Sequence, residues 1–108
     1  MKPRQTDDVR SVLNVRGAFI RRTNFSGTDL RGADLSQADA SGASFRNADF
    51  AGARLSGTVL RGADLTGATN LTDEQLSSAV IDEHTLLPAY IDRSKLRNDM
   101  RHSQESLG

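Results

Sequence analysis

Cysteine is absent from this chain of 108 residues, and the longest apolar runs span only a few residues. The lack of cysteine excludes disulfide bonds and thiolate metal sites. A secretory signal is not expected, because Asp7, Asp8 and Arg10 interrupt the region where its apolar segment would lie. Lys and Arg balance Asp and Glu at 14 each, so no overall charge attracts nucleic acid or a membrane. We therefore expect a soluble, cytoplasmic, single-domain protein.

A five-residue repeat, marked by glycine, runs through the first two thirds of the chain. Eleven of its twelve central positions are apolar, alanine or threonine stands two positions before eleven of them, and glycine stands two positions after eight. The central residues are Val15, Ile20, Phe25, Leu30, Leu35, Ala40, Phe45, Phe50, Leu55, Leu60, Leu65 and Asn70. A period of five matches neither a strand nor a helix, so the chain must turn at every quintet, which suits glycine. The sequence predicts a solenoid with a packed interior.

The quintets around Leu35, Phe50 and Leu65, each reading Ala-Asp-Leu or Ala-Asp-Phe, resemble the pentapeptide-repeat family, whose pattern is commonly written A-(D/N)-L-x-x. The resemblance implies an all-β solenoid, a right-handed quadrilateral β-helix with four quintets per coil and about three coils. Residues twenty apart would then stack about 4.8 Å from one another. The expected structural core comprises Ile20, Phe25, Leu30, Leu35, Phe45, Phe50, Leu55, Leu60 and Leu65.

Four segments are predicted along the chain: an N-terminal cap or arm over 1–12, the β-helix over 13–70, a capping helix and loop over 71–88, and a weakly helical or disordered tail over 89–108. Open coil ends expose unpaired backbone and need covers. Thr72 and Gln75 form a capping-box pattern that predicts the start of the C-terminal helix. Its apolar residues would lie across the last coil.

Catalytic chemistry is not indicated. His84 stands beside Asp82 and Glu83, but adjacent residues in a loop point in different directions, and no nucleophile lies near in sequence. The only other histidine, His102, falls in the predicted tail. The glycines lack the lysine that follows them in a phosphate loop. We expect a non-enzymatic protein with no cofactor and no metal site.

Charge along the repeat bears on one alternative function. The aspartates before the centres are expected to lie outside and to accept hydrogen bonds from the turns. Some pentapeptide-repeat proteins resemble the DNA duplex in width and negative charge and bind type II topoisomerases. Here seven arginines interrupt the acids, which disfavours a DNA mimic that binds DNA gyrase. They are Arg16, Arg21, Arg22, Arg31, Arg46, Arg54 and Arg61. Their dispersal without aromatic neighbours also disfavours direct nucleic-acid binding.

Phe19 and Val59 form the candidate interaction surface together with Arg21 and Arg61. Phe19 and Val59 occupy the outward position before a centre, on one predicted ladder, where the family commonly has Asp or Asn. The leading hypothesis is a bacterial-type, non-catalytic module that presents a rigid surface to another protein or to a copy of itself. A dimer through the C-terminal segment, by way of Leu86, Leu87, Tyr90 and Ile91, stays open as an alternative.

Phe45→Ala tests the inward assignment of the centres. Deleting a buried aromatic ring removes its contacts and leaves a cavity, so we expect the free energy of unfolding to fall by about 3–5 kcal/mol. Denaturant melts of both proteins measure the difference. A change within about 0.5 kcal/mol would contradict the assignment, because exposed substitutions have effects of that size.

Overall fold

The computed structural model of this protein describes residues 12–96, and it turns the chain at every quintet. Each turn is closed by a hydrogen bond between residues three apart, as from Ala18 N to Val15 O at 2.9 Å and from Ala38 N to Leu35 O at 3.0 Å. Between turns the chain is extended for about three residues. Each five-residue repeat of the sequence therefore corresponds to one turn of the chain.

Residues twenty apart stack as parallel bridges, so four quintets complete one coil. Within residues 12–96 these contacts are single-residue bridges, and none lengthens into a continuous strand. The bridged residues define four sides of the solenoid. The first side carries Asn14, Asp34 and Arg54; the second carries Phe19, Asp39, Val59 and Val80; the third carries Asn24, Ser44, Asp64 and Leu86; the fourth carries Asp29, Asp49 and Thr69. Two ladders thus continue past residue 70, to Val80 and Leu86.

The interior is filled by the central residues and by the small residues two positions before them. Leu30, Leu35, Phe45, Phe50, Leu55, Leu60 and Leu65 are buried, while Ile20 and Phe25 in the first coil are half-buried and pack against them. The Phe45 ring stacks on Phe25 at 5.3 Å between centroids and tilts against Phe50 at 5.5 Å. Burying each large side chain contributes about 1.5–3 kcal/mol. Alanines such as Ala33 and Ala48 are buried beside them, where a larger side chain would meet the wall.

Most turns have glycine in the left-handed region, but three have another residue there: Arg22, Gln37 and Asn47, with φ of 57°, 63° and 63°. Each lies twenty residues before a glycine. A Cβ on Gly57 would lie 2.8 Å from the Gln37 Cδ, and one on Gly67 would collide with the Asn47 amide. These glycines therefore leave room for the side chain that stacks on them, in addition to providing the positive φ.

Two short helices follow the repeat: α1, Asp73–Ser77, and a 3-10 helix, Arg93–Lys95. The predicted capping box is present at α1, since the Thr72 hydroxyl accepts from Gln75 N at 3.0 Å and the Gln75 amide oxygen accepts from Thr72 N at 2.9 Å. A helix of five residues is not stable alone. Its buried residue, Leu76, holds it against the core.

The C-terminal segment, residues 71–96, supplies hydrogen-bond partners to the last coil. The Gln75 side-chain amide donates to Phe50 O at 3.0 Å and Ala53 O at 2.9 Å. The Thr85 hydroxyl donates to Leu60 O at 2.8 Å, and the Tyr90 hydroxyl donates to Ala68 O at 2.7 Å. At Ala53 O and Ala68 O, side chains thus satisfy carbonyls that another coil would otherwise satisfy.

The predicted N-terminal arm and C-terminal tail lie at the two ends of the chain. Residues 1–11 of the predicted arm and residues 97–108 of the predicted tail lie outside the described residues. Within residues 89–96, Leu96 is buried and the 3-10 helix Arg93–Lys95 precedes it. In residues 12–96, no helix has the length and apolar character needed to cross a bilayer.

Substitutions at Gln37 test the left-handed turn. Both Gln37→Gly and Gln37→Ala remove the side chain that lies over Gly57, but only alanine keeps the Cβ that a φ of 63° disfavours. We expect the glycine variant to be more stable than the alanine variant by about 1 kcal/mol. Urea melts of the pair measure this. Equal stabilities would mean that residue 37 does not hold a positive φ in solution.

Candidate interaction face

The second side of the solenoid carries an outward apolar row, which we call the apolar row: Phe19, Val59 and Val80, with Asp39 between the first two. Phe19 is 85% exposed, and Val59 and Val80 are half-buried. Val80 points outward because the residues on either side of it, Ala79 and Ile81, are buried. Backbone pairing at this side fixes the row, as in Val59 N to Ala38 O at 2.9 Å and Val80 N to Thr58 O at 2.8 Å.

Val80 was missed by reasoning from the sequence. It pairs with Val59 at a separation of 21 residues rather than 20. The spacing differs because α1 lies between the last quintet and Val80. The signal available was the Ala-Val-Ile run at residues 79–81, which repeats the small, outward, central order of a quintet. With Val80, three of the four paired residues on the second side are apolar.

Arginines border the apolar row at one corner. Arg21 Nε lies 3.5 Å from Asp39 Oδ2, and Arg61 stands forty residues further along, at the same place in its own coil. The Ser41 hydroxyl and the Ser41 backbone N–H donate to Asp39 Oδ1 and, with the charge of Arg21, hold the pKa of Asp39 below its usual range. The four predicted surface residues therefore lie on one side and the corner beside it.

Aspartate and asparagine before the centres accept a hydrogen bond from the backbone N–H two residues on. Examples are Ser36 N to Asp34 at 3.0 Å and Ala51 N to Asp49 at 3.1 Å. This arrangement is the Asx turn expected for these aspartates. Side-chain hydrogen bonds from Arg31, followed by its backbone N–H, lower the pKa of Asp29 to about 2. These aspartates therefore stabilise the turns by accepting hydrogen bonds from the turn N–H groups.

Ion pairs between coils follow a regular spacing that the sequence analysis did not identify. Arg16 pairs with Asp34 at 3.8 Å and Arg46 pairs with Asp64 at 3.0 Å, each eighteen residues apart. The Arg21 pair with Asp39 has the same spacing. The backbones of Asp34 and Arg54 pair as neighbours in one ladder, as the four-ladder arrangement predicts, which places their opposite charges near each other. Charges of opposite sign thus alternate over the surface, and these exposed pairs each contribute little to stability.

His84 lies at the surface beside Glu83. Its ring is exposed and lies 3.5 Å from Glu83 Oε2, and its backbone N–H donates to Asp82 Oδ1 at 3.0 Å. Asp82 Oδ1 also accepts from Gly62 N at 3.1 Å, and Asp82 N donates to the Thr85 hydroxyl at 3.0 Å. Asp82 therefore joins the C-terminal segment to the last coil. Among residues 12–96, no three His, Asp or Glu side chains come together as metal ligands would.

A polar groove of about 520 Å³ lies between α1 and the first side. Arg16, Arg54 and Glu74 line it, together with serine and glutamine side chains. Since charges of both signs meet there, the groove does not select an anion or a cation. The apolar row is the surface whose composition departs furthest from the rest of the solenoid.

Lowered aspartate pKa values predict acid sensitivity. A carboxyl whose pKa is lower in the folded than in the unfolded chain stabilises the fold above its unfolded pKa, near 4, and this contribution is lost as the pH falls through the folded pKa. Asp34, Asp39 and Asp49 are lowered and Asp29 is lowered to about 2, so we expect the urea midpoint to decline between about pH 4 and 2. Asp39→Asn should give a shallower decline. A midpoint that stays constant over this interval would contradict the prediction.

Comparison with known proteins places the chain in a family. The model of pentapeptide repeats matches residues 14–47 and 43–81, in eight copies. A pentapeptide repeat protein, Rfr23, of the cyanobacterium Cyanothece 51142 is 35% identical in its crystal structure, with a TM-score of 0.60 over 68% of this chain and 50% of that one. A pentapeptide repeat protein of the Arabidopsis thaliana thylakoid lumen is 28% identical, with a TM-score of 0.60 over 81% of this chain and 57% of that one.

The chain thus spans half the length of the Cyanothece structure and a little over half the length of the Arabidopsis structure. Comparison with curated proteins gives no match. The members of the matched family fold as right-handed quadrilateral β-helices, in agreement with the fold class that the family resemblance implied. With its turns, its twenty-residue coils and its filled interior, this chain belongs to the pentapeptide-repeat family.

Proposed function

We propose that this chain is a non-catalytic module that binds another protein through the apolar row and the arginine corner beside it. The observation that carries the proposal is the exposure of the Phe19 ring, at 85%, on a side where Val59 and Val80 continue the same row. Single exposed apolar residues are ordinary, but an aligned set with a polar border is typical of protein contacts. Pentapeptide-repeat proteins are generally interaction modules, which agrees with this role.

The local chemistry of the second side supports the proposal. At Asp39 the turn N–H of Ser41 has a carboxylate acceptor at 3.1 Å. Phe19 and Val59 have no such acceptor to offer, and within residues 12–96 the N–H groups of Arg21 and Arg61 donate to no side chain. The chain therefore forgoes a hydrogen bond worth about 0.5–1.5 kcal/mol at each of the two sites and gains an outward apolar group. Departures from a local rule are expected where a surface is used for binding.

Rigidity is the proposed mechanism. Two backbone bonds to the preceding coil hold Asp39, from Asp39 N to Ala18 O at 2.9 Å and from Ile20 N to Asp39 O at 2.8 Å. Its neighbours in the row are held in the same ladder. A surface that is already ordered loses less conformational entropy when it binds. The partner then meets apolar groups and guanidinium groups at fixed positions.

The proposal extends to the C-terminal segment and to the compartment in which the protein works. We propose that residues 71–88 cap the solenoid of residues 13–70, and that the protein works in the cytoplasm. The alternative role, a DNA mimic that binds gyrase, gains no support, because arginines alternate with the aspartates on the sides of the described solenoid. A binding groove for DNA would meet positive as well as negative charge.

Replacing Phe19 and Val59 by aspartate tests the interaction face. Aspartate is the residue that other quintets carry at this position, and it restores the acceptor for the Arg21 and Arg61 turns. We expect the Phe19→Asp, Val59→Asp variant to be at least as stable as the native chain in a urea melt. We also expect it to lose a partner that the native chain captures from lysate, as measured by quantitative mass spectrometry and then by calorimetry with the purified partner.

Thr69→Asp is the control, because it adds one carboxylate, half the added charge of the double variant, at the equivalent position of the opposite side. It should keep the partner. A partner lost equally from both variants would point to an effect of charge rather than to the apolar row. A partner retained by the double variant would overturn the proposed face while leaving the fold assignment intact.

A further inference from the structure

The N-terminal end of the solenoid presents backbone groups that have no partner in the part of the chain that the structure describes. In the inner coils, the residue before each centre directs both its N–H and its C=O toward the preceding coil. Arg54 illustrates this, with Arg54 N donating to Ala33 O at 2.8 Å and Arg54 O accepting from Leu35 N at 3.0 Å. The corresponding residues of the first coil are Asn14, Phe19, Asn24 and Asp29. Within residues 12–96, neither backbone group of these four residues is bonded.

The opposite end differs. In the last coil, the four carbonyls that point away from the solenoid belong to Ala53, Thr58, Ala63 and Ala68. They accept from the Gln75 side chain, Val80 N, Leu86 N and the Tyr90 hydroxyl, respectively. The C-terminal segment therefore satisfies these four carbonyls through both backbone and side chains. Within residues 12–96, unbonded backbone groups are more numerous at the first coil than at this end.

The first coil also exposes apolar surface. Leu13, Val15, Ile20 and Phe25 are half-buried, whereas Leu35, Ala40 and Phe45 in the next coil are fully buried. Val12 beside them is 56% exposed. An apolar centre surrounded by unpaired strand edges favours pairing with another chain.

The sequence before Leu13 does not continue the quintet pattern. Its central positions would be Gln5 and Arg10, and the small positions two residues earlier would be Pro3 and Asp8. Charged and polar side chains at these places cannot fill the axis of another coil. The sequence before Leu13 therefore does not carry the pattern of a further coil.

Charge at this end is compatible with a second copy. Arg16 and Arg21 pair with Asp34 and Asp39 of the second coil, which draws their guanidinium groups away from the end. Arg31 pairs with Asp29 of the first coil at 2.8 Å, so its charge is balanced at the end itself. Both arrangements reduce the repulsion between two facing copies. The Arg22 side chain likewise lies against Gly42 of the second coil.

We propose that two copies of the chain associate head to head at this end, with Asn14, Phe19, Asn24 and Asp29 of each copy pairing with those of the other. A two-fold axis across the solenoid axis makes the facing edges antiparallel. In an antiparallel hydrogen-bonded pair, two opposed residues exchange both their N–H and their C=O. The open end offers these two groups from one residue on each side. The dimer goes beyond the proposed binding face, since a partner can bind the apolar row whether or not the ends associate.

Amide hydrogen exchange, followed by NMR at several concentrations, tests the dimer on the unmodified full chain. Together with sedimentation equilibrium, it should show a species of about twice 11.7 kDa in which the amides of Asn14, Phe19, Asn24 and Asp29 become protected as the dimer fills. A monomer at every concentration overturns the proposal. Protection that does not depend on concentration overturns it in favour of cover by the chain itself. A dimer with these four amides unprotected overturns it in favour of another surface, such as the C-terminal segment.

Asn24→Pro removes one N–H at the open end, on the third side and away from the apolar row. A two-fold dimer would lose two hydrogen bonds, so its dissociation constant should rise by about tenfold or more. Asn24→Ala is the matched control, because it also removes the acceptor for Ser26 N but keeps the backbone N–H. It should dimerise like the native chain. Equal dissociation constants for the two folded variants would overturn the pairing.

Discussion

Hydrogen bonds that run along the axis of the solenoid are the interaction on which the rest of this structure depends. Apart from the turn bonds, the backbone of each coil is satisfied by the coils before and after it, as when Asp34 N donates to Leu13 O and Leu35 N donates to Arg54 O. A coil has no stability without such neighbours, in the manner of other solenoids. The same requirement explains why four successive quintets must turn in the same way, and why the two ends need separate solutions.

The requirement for stacking also divides the side chains into two classes. The residues at and two before each centre face a closed interior, so their size is fixed by the neighbours: Leu35 and Leu55 are stacked in one ladder, beside Ala33 and Ala53. The residue between them faces out, and its side chain is chosen by the turn and by solvent. This freedom is what allows Phe19 and Val59 to replace an aspartate without disturbing the interior. A binding surface can therefore change on this fold while the core stays constant.

The sequence predicted the parts of the fold that each quintet determines by itself. Turns at glycine, inward centres at Leu35 or Phe45, and the Thr72 and Gln75 capping box need only local spacing. The number of quintets in a coil needed the family resemblance, because a five-residue period does not specify how many turns close a circuit. The eighteen-residue ion pairs and the position of Val80 depend on that number and on the inserted helix α1. The hydroxyl of Tyr90, which reaches Ala68 O, gives no local signal at all.

The contrast between the two ends connects the candidate face with the proposed dimer. Phe19 lies in the first coil, where its side chain extends the apolar row and its backbone belongs to the open end. A two-fold stack in which the second sides of the two copies meet would bring their Phe19 rings to the same junction and lengthen the available side from one solenoid to two. A partner that spans the junction would then be bound by two rows whose relative position is set by backbone pairing. Two linked sites raise the effective affinity without any new contact on either copy. Unpaired backbone raises the free energy of an isolated coil. By pairing with a second copy, the same edge would set the length of the binding surface.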